Sequence, residues 1–460
     1  MKTAAAIREA LLGLADIEEL QNYLRAECLA LVQAGYEVSH FQQELEGLNT
    51  QAELIDLCNR LPDILQDDER STPSEPDSLT AIRATRPDGP RAVDPKLESS
   101  ELLDRIHGGW LGRVAGCVLG KPVEPWGYWG KISDYLKLAN SYPLSNYIPR
   151  LEPRPEEYQF GGGGEGTLLG EINGAPEDDD TDYSVLALHM LEAHGLDLTT
   201  ANVAAEWLDH LAYTRIWTAE RATYRNLILG AAPGEAARLL NPEREYIGAR
   251  IRADVFGLVA PGSPELAADM AYRDASLSHT RNGVYSAMFM AACIAWAFVC
   301  KDTEEIVRVG LSEIPADCRL AHTTQSVLDQ YHRREDWREA YESLLPEMAA
   351  YPPVHAINNH AWLVLALLYG KGDFESTICT AVQCGFDTDC NGANAGAVLG
   401  VMSGAKALPH KWIDPLDDRL RSSVAQFGEL RIAHLARRTT DLARHYLSSN
   451  STDPNPKERI

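Results

Sequence analysis

Apolar positions along this chain recur at helical rather than strand spacing. "DIEELQNYLRAECLALVQAGY" places Ile17, Leu20, Leu24, Leu31 and Val32 near one stripe of a helix ending near Gly35. "NTQAELIDLCNRL" offers Asn49 or Thr50 as an N-cap, followed by Leu54, Leu57, Cys58 and Leu61. Residues 1–66 therefore predict three or four short helices, with a structural or partner-docking role. Residues 67–100, including "DDERSTPSEPDSLTAIRATRPDGPRAVDPK", are rich in Pro, Ser and charge and predict a linker. Helix patterns resume from 101 to 446, in "DYSVLALHMLEAHG", "ANVAAEWLDHLAY", "SPELAADMAYRDASL", "AWLVLALLYG", "DFESTICTAVQC" and "RLRSSVAQFGELRIAHLARRTTDLARHYL". No strand-type alternation of useful length appears. Ala is abundant where helices need to approach closely. The expected architecture is all-α: an orthogonal helical bundle over 101–446, an extra helical region at 1–66, and a polar tail at 447–460.

Composition narrows the class. The chain has 460 residues and a formal net charge of −25. That balance argues against nucleic acid as a partner, since phosphate neutralisation needs clustered Lys and Arg. Its longest uncharged apolar run, "GVYSAMFMAACIAWAFVC", mixes small and large residues throughout and predicts a buried helix rather than a membrane span. Arg8 and Glu9 interrupt the N-terminus, which makes a poor signal peptide. Nine cysteines without a C-x-x-C pair suggest reduced thiols and a cytoplasmic setting.

The chemistry concentrates in two acidic clusters. "APEDDDTDYS" holds Asp178, Asp179 and Asp180 behind Glu177; "GFDTDCNGANAGAVLG" holds Asp387 and Asp389. Each stands at the start of an apolar helix. A helix N-terminus favours a nearby carboxylate by roughly 0.3–1 kcal/mol, too little to offset five converging charges. A hard divalent cation is the natural compensation, and two cations sharing aspartates suit five carboxylates better. Taken singly, the first cluster also reads as a helix cap and the second as a solvated loop.

These stretches resemble the ADP-ribosylglycohydrolase family, the ADP-ribosyl-acceptor hydrolases that include dinitrogenase-reductase-activating glycohydrolase. "GGWLGRVAGCVLGKPVE" is similar to its opening glycine-rich helix and Gly-x-Pro-x-Glu end. "EDDDTDYSVLAL" is similar to its first metal motif, and "SHTRNGVYSAMFMAACIAWAF" to its central His-containing helix. "GFDTDCNGANAGAVLG" resembles its second metal motif, while "NPEREYIGARIRADVFGLVAPGSPELAADMAYRDA" resembles a stretch of its larger bacterial members. The resemblance implies an all-α fold and two Mg²⁺ ions, with Mn²⁺ as a substitute. It implies hydrolysis of the bond joining ADP-ribose to an acceptor, either an ADP-ribosylated protein or a small ADP-ribosyl or ribosyl compound. Asp178, Asp179 and Asp180 fall on the first metal triplet, and Asp387 and Asp389 on the second, with Asp389 where a carboxylate bridges both ions. Glu124 falls on the glutamate at the lip of the site. Two positions depart from the pattern: Asp178 replaces a usual Thr, and Cys390 stands where a Thr ligand is usual, a thiol being a poor ligand for Mg²⁺.

Glu124 is the candidate general acid or base. "FGGGGEG", with Gly163 at its centre, either brings backbone N–H groups to a diphosphate or forms a mobile loop. His279 is a ligand contact or a core histidine. Asn359, in "HAINNH", either reaches the site or belongs to a helix-entry turn. Two other functions fit paired acidic clusters: a two-metal nucleotide phosphohydrolase, and a non-catalytic ADP-ribose-binding or scaffold protein.

Overall fold

In the computed structural model, which describes residues 3–66 and 74–451, two helices meet along faces that carry no side chains. Ser99–Gly120 bears Gly108, Gly112, Gly116 and Gly120 at every fourth position, and so on one face. Thr388–Ser403 answers with Gly392, Gly396 and Gly400 in the same spacing. The helices run antiparallel. A Cβ at Gly112 would stand 2.0 Å from the Gly396 carbonyl oxygen, and one at Gly116 1.9 Å from that of Gly392. Only glycine permits this backbone-to-backbone approach. At the far end of the ladder Thr388 Oγ1 donates to the Gly120 carbonyl at 2.8 Å. The N-terminus of the second-cluster helix is thereby fixed against the C-terminus of the glycine helix.

The remaining helices wrap this pair. The apolar run predicted to be buried forms the helix Arg281–Ala297, buried along its whole length. It packs on Pro264–Ala275 and Asp254–Leu258. The fold is all-α. Among the described residues the strands are Arg419–Arg421 and Glu429–Arg431, a hairpin in antiparallel register with Leu420 opposite Leu430. The sequence pattern had run this segment into the final helix, which instead starts at Ile432. Gln426, at φ +74, turns the chain back, and a helix cannot pass through that conformation. The final helix continues to Ser451, into the stretch assigned to the tail. Among the described residues no helix is long and apolar enough to cross a membrane.

The N-terminal region comprises Ala4–Leu14, Ile17–Gln33, Ser39–Leu45 and Gln51–Gln66. These helices are not a free appendage. Leu20, Leu24 and Leu31 belong to the same continuous apolar core as the bundle. Glu27 forms a buried ion pair with Arg244. The linker reading needs correction from residue 74 onward. Glu75 pairs with Arg319 at 2.8 Å, Leu79–Thr85 is a helix with buried Ile82, and Arg86 and Arg91 both clasp the buried Glu313. This stretch is a strap held by ion pairs, which its low apolar content could not reveal. Residues 67–73 lie outside the described structure.

Candidate active site

The helix Asp179–His194 starts where Asp178, in extended conformation, turns its carboxylate onto the Asp180 N–H at 2.9 Å. Asp178 is thus a cap, as the simpler reading held, and its other oxygen pairs with Lys121. Lys121 immediately follows the glycine helix and also donates to the Glu177 carbonyl at 3.1 Å. Arg113, buried on the same helix, lies 3.3 Å from Asp180 Oδ1, donates to the Asp180 carbonyl at 2.5 Å and pairs with Asp254. One cation on the glycine helix and one just after it therefore face the first cluster.

The second cluster is placed differently. Gly385 and Phe386 have φ of +79 and +62, and the Phe386 N–H donates to the Gly127 carbonyl at 2.7 Å. A Cβ at Gly385 would stand 1.8 Å from that carbonyl oxygen, so the turn requires glycine. The turn delivers Asp387 to the N-cap of Thr388–Ser403, although its side chain makes no capping bond. Asn359 Oδ1 holds the Asp387 N–H at 3.1 Å and Asn391 Nδ2 at 2.9 Å. Asp389 Oδ1 accepts from the Cys390 N–H at 3.0 Å. Asp387 Oδ1 is buried without a hydrogen-bond partner.

The two clusters meet. Possible ligand atoms of Asp178, Asp179 and Asp180 lie within 4.8 Å of one another, as do those of Asp180, Asp389 and Cys390, and those of Glu124, Asp387 and Asp389. Asp180 and Asp389 link the three groups. The Cys390 thiol faces the cluster and donates to Asp180 Oδ2 at 3.1 Å. Burial and mutual repulsion raise the carboxyls of Asp179, Asp387 and Asp389 above the usual range. Burial raises Asp180 too, against the pull of Arg113. Glu124, in the short turn Glu124–Trp126, is pushed up to about 9 by Asp389, then by burial and by Asp178 and Asp180, with Lys121 opposing. A set of carboxylates with one thiol and an orphaned buried oxygen fits a hard cation held by the oxygens, whose arrival would relieve this repulsion.

Two adjoining cavities open onto the cluster. The inner one, about 430 Å³, is lined by Glu124, the aspartates of both clusters, Tyr183 and Glu220. The outer one, about 660 Å³, is lined by Gly162, Glu165, Gly166, Arg215, Arg421 and Ser423. Lys121, Asp178, Asp179 and Trp217 border both.

With this geometry in view, the comparisons are specific. The ADP-ribosylglycohydrolase family model matches residues 98–445. The chain belongs to the ADP-ribosylglycohydrolase family. An uncharacterised protein of Archaeoglobus fulgidus is 25% identical over 329 residues, 67% of this chain and 90% of its own length. A solved structure described as an ADP-ribosylglycohydrolase-related protein complex shares the fold at TM-score 0.51 and 20% identity, over 75% of this chain and 99% of its own. Family membership brings with it glycohydrolase activity in general terms.

Within this member of the family, the structure gathers Asp178, Asp179, Asp180, Asp387, Asp389 and Glu124 at one place. It does not bring His279 and Asn359 into the cavities. His279 is buried behind Glu220, its Nδ1 2.8 Å from Ser278 Oγ and its Nε2 3.9 Å from Glu220, and burial holds it neutral. Asn359 stands behind Asp387 and donates to the Pro353 and His355 carbonyls. Asn359 thereby positions Asp387, whereas His279 lies near Glu220 beyond hydrogen-bond distance. Gly163 lies in the turn Gly161–Gly164, whose neighbours Gly162 and Gly166 reach the outer cavity. Sequence reasoning missed Lys121, Arg113, Trp217 and Glu220. A charge inside the apolar "GGWLGRVAGCVLGK" was the available signal for the first two.

Proposed function

We propose that this protein hydrolyses the glycosidic bond between ADP-ribose, or a related ribosyl group, and an acceptor, with two divalent cations of the Mg²⁺ or Mn²⁺ type. The observation carrying this reading is the meeting of Asp180 and Asp389 beneath Glu124 at the floor of one cavity. Asp178, Asp179, Asp180, Asp387 and Asp389 would hold the ions. Bound there, they would supply Lewis acidity that orients ribose hydroxyls and lowers the pKa of an attacking water.

The chain's own residues account for the rest. Glu124 sits at the lip with a carboxyl that retains its proton readily, which suits exchange of a proton with the water or the leaving group. The bond breaks through an oxocarbenium-like state, which the surrounding carboxylates stabilise. Lys121 holds Asp178 in place and, with Arg215 and Arg421, offers positive charge to a diphosphate along the outer cavity. Trp217, half exposed between the cavities, with the Arg221 guanidinium 4.5 Å from its ring centroid, offers a surface for the base.

The test is release of free ADP-ribose from ADP-ribosyl-arginine and ADP-ribosyl-serine substrates, with and without Mg²⁺. Metal-dependent release that Glu124→Gln slows by ~10²–10⁴-fold supports the reading. Phosphate release from nucleotides instead, or ADP-ribose binding without turnover of any ribosyl substrate, overturns it.

A further inference from the structure

A second cluster of ligating side chains stands apart from the aspartates. His189 and His194 lie on Asp179–His194, and Glu206 and His210 on Thr200–His210. Ligating atoms of His189, Glu206 and His210 fall within 4.8 Å of one another. His189 Nε2 is 3.3 Å and His210 Nδ1 3.2 Å from the same oxygen, Glu206 Oε2. These separations match the roughly 3.3 Å edge expected between ligands at zinc-type bond lengths of about 2.0–2.1 Å. The His210 nitrogen meets the Glu206 carbonyl at 3.2 Å as well; a carbonyl only accepts, so the ring nitrogen is the donor there and an ion would take the proton's place. The contact that forms a side-chain hydrogen bond to the carboxylate is that of His194, whose Nε2 meets the other oxygen, Oε1, at 2.7 Å. That is the arrangement of an outer partner orienting a ligand.

We propose that His189, Glu206 and His210 bind one divalent transition ion of the zinc class, with His194 as the positioning residue for Glu206. Two imidazoles and one carboxylate suit Zn²⁺, Ni²⁺ or Cu²⁺ over Mg²⁺, whereas the aspartate site presents carboxylate oxygens with a single thiol, Cys390. The chain thus sorts two metals by ligand type. Side chains 27% and 26% exposed at His189 and His194 leave an entry path, while Glu206 and His210 are more enclosed at 13% and 9%. Phe427 packs on the rings of both His189 and His210, at centroid distances of 5.2 and 6.2 Å. It belongs to the hairpin turn whose Ser423 N–H donates to Asp182 at 3.1 Å and which borders the outer cavity. An ion here ties the two helices together beside that wall. Binding displaces protons from the ring nitrogens that face the ion.

The experiment uses full-length protein stripped by chelator, supplied with excess Mg²⁺ and titrated with Zn²⁺, and separately with Co²⁺ read by its visible absorption. One tight ion per chain should persist in Asp389→Ala and vanish from the double variant His189→Gln/His210→Gln. His194→Gln should weaken it by ~10–100-fold. His410→Gln, an exposed histidine elsewhere, should leave it unchanged. Circular dichroism checks each fold, and Glu206→Gln replaces the double variant if that one unfolds. Tight Zn²⁺ abolished by Asp389→Ala, or retained by the folded His189→Gln/His210→Gln variant or its Glu206→Gln replacement, overturns the proposal.

Discussion

The two acidic clusters carry like charge and begin like helices, yet they are held in opposite ways. The first has its own cations: Lys121 on Asp178, Arg113 on Asp180, and a cap bond within the helix. The second is held by amides, with Lys121 acting on Asp389 only through space. Asn359 fixes the Asp387 backbone, and Asp387 Oδ1 is left buried and unpaired. A carboxylate with a built-in cation tolerates an empty site. One without depends on what binds it, since an unsatisfied buried charge shifts its protonation or costs stability. On the proposed reading, the first cluster is the preformed half of the site, and the second is the half that a cation would complete.

The strongest challenge to this contrast is Asp389→Ala, which should remove metal and turnover together. Its loss of turnover should exceed the ~10²–10⁴-fold expected for Glu124→Gln, which keeps its metal. Metal content measured beside ADP-ribose release decides; an Asp389→Ala protein that retains two ions breaks the contrast. Next is the glycine ladder, on which only the second cluster is mounted. Gly396→Ala drives a Cβ toward the Gly112 carbonyl oxygen. It should destabilise by ~1–3 kcal/mol or more despite the better helix propensity of Ala. A lowered urea midpoint with weakened metal binding is expected, and an unchanged midpoint would dissolve the link between ladder and site.

Lys121→Met should remove the compensation of the first cluster and cost about 1–3 kcal/mol in metal-free protein. The thermal upshift on adding Mg²⁺ should then grow, because both clusters would depend on the ion. The pH dependence sharpens the same point. Glu124 has a folded pKa raised from 4.5 to about 9, so the folded state binds the extra proton. Its contribution to metal-free stability is therefore complete below about 4.5 and lost as pH rises through about 9. Glu124→Gln should flatten that fall in urea titrations across the range. The smallest effect is Cys390→Thr, which exchanges a thiol for a harder oxygen and should tighten Mg²⁺ only a few-fold, roughly; calorimetric titration would show it.

The aspartates and Glu124 were legible because each lies at a local signal, a helix start or a turn, that the sequence displays directly. Their cations were not. Arg113 lies on, and Lys121 just after, a helix read as glycine-rich and apolar, and only helix packing shows that they face aspartates distant in sequence. His279 and Asn359 fell in the right neighbourhood but one layer too deep, because sequence spacing does not say whether a polar side chain meets the ligand or the residue that does. The strap from 74 to 98 was misread because composition registers apolar content, whereas Arg86 and Arg91 are anchored by the charge on Glu313. The hairpin was missed because three-residue strands are too short to show alternation.

The glycine ladder also governs when the site can exist. Its two helices lie near opposite ends of the family domain, so their contact closes a loop spanning most of the chain. Such long-range closures form slowly and late. During synthesis the first cluster, Lys121 and Arg113 emerge long before Asp387 and Asp389 do. A nascent or truncated chain therefore holds only half of the acidic cluster, and on the proposed reading high-affinity metal uptake would become a signature of completed folding.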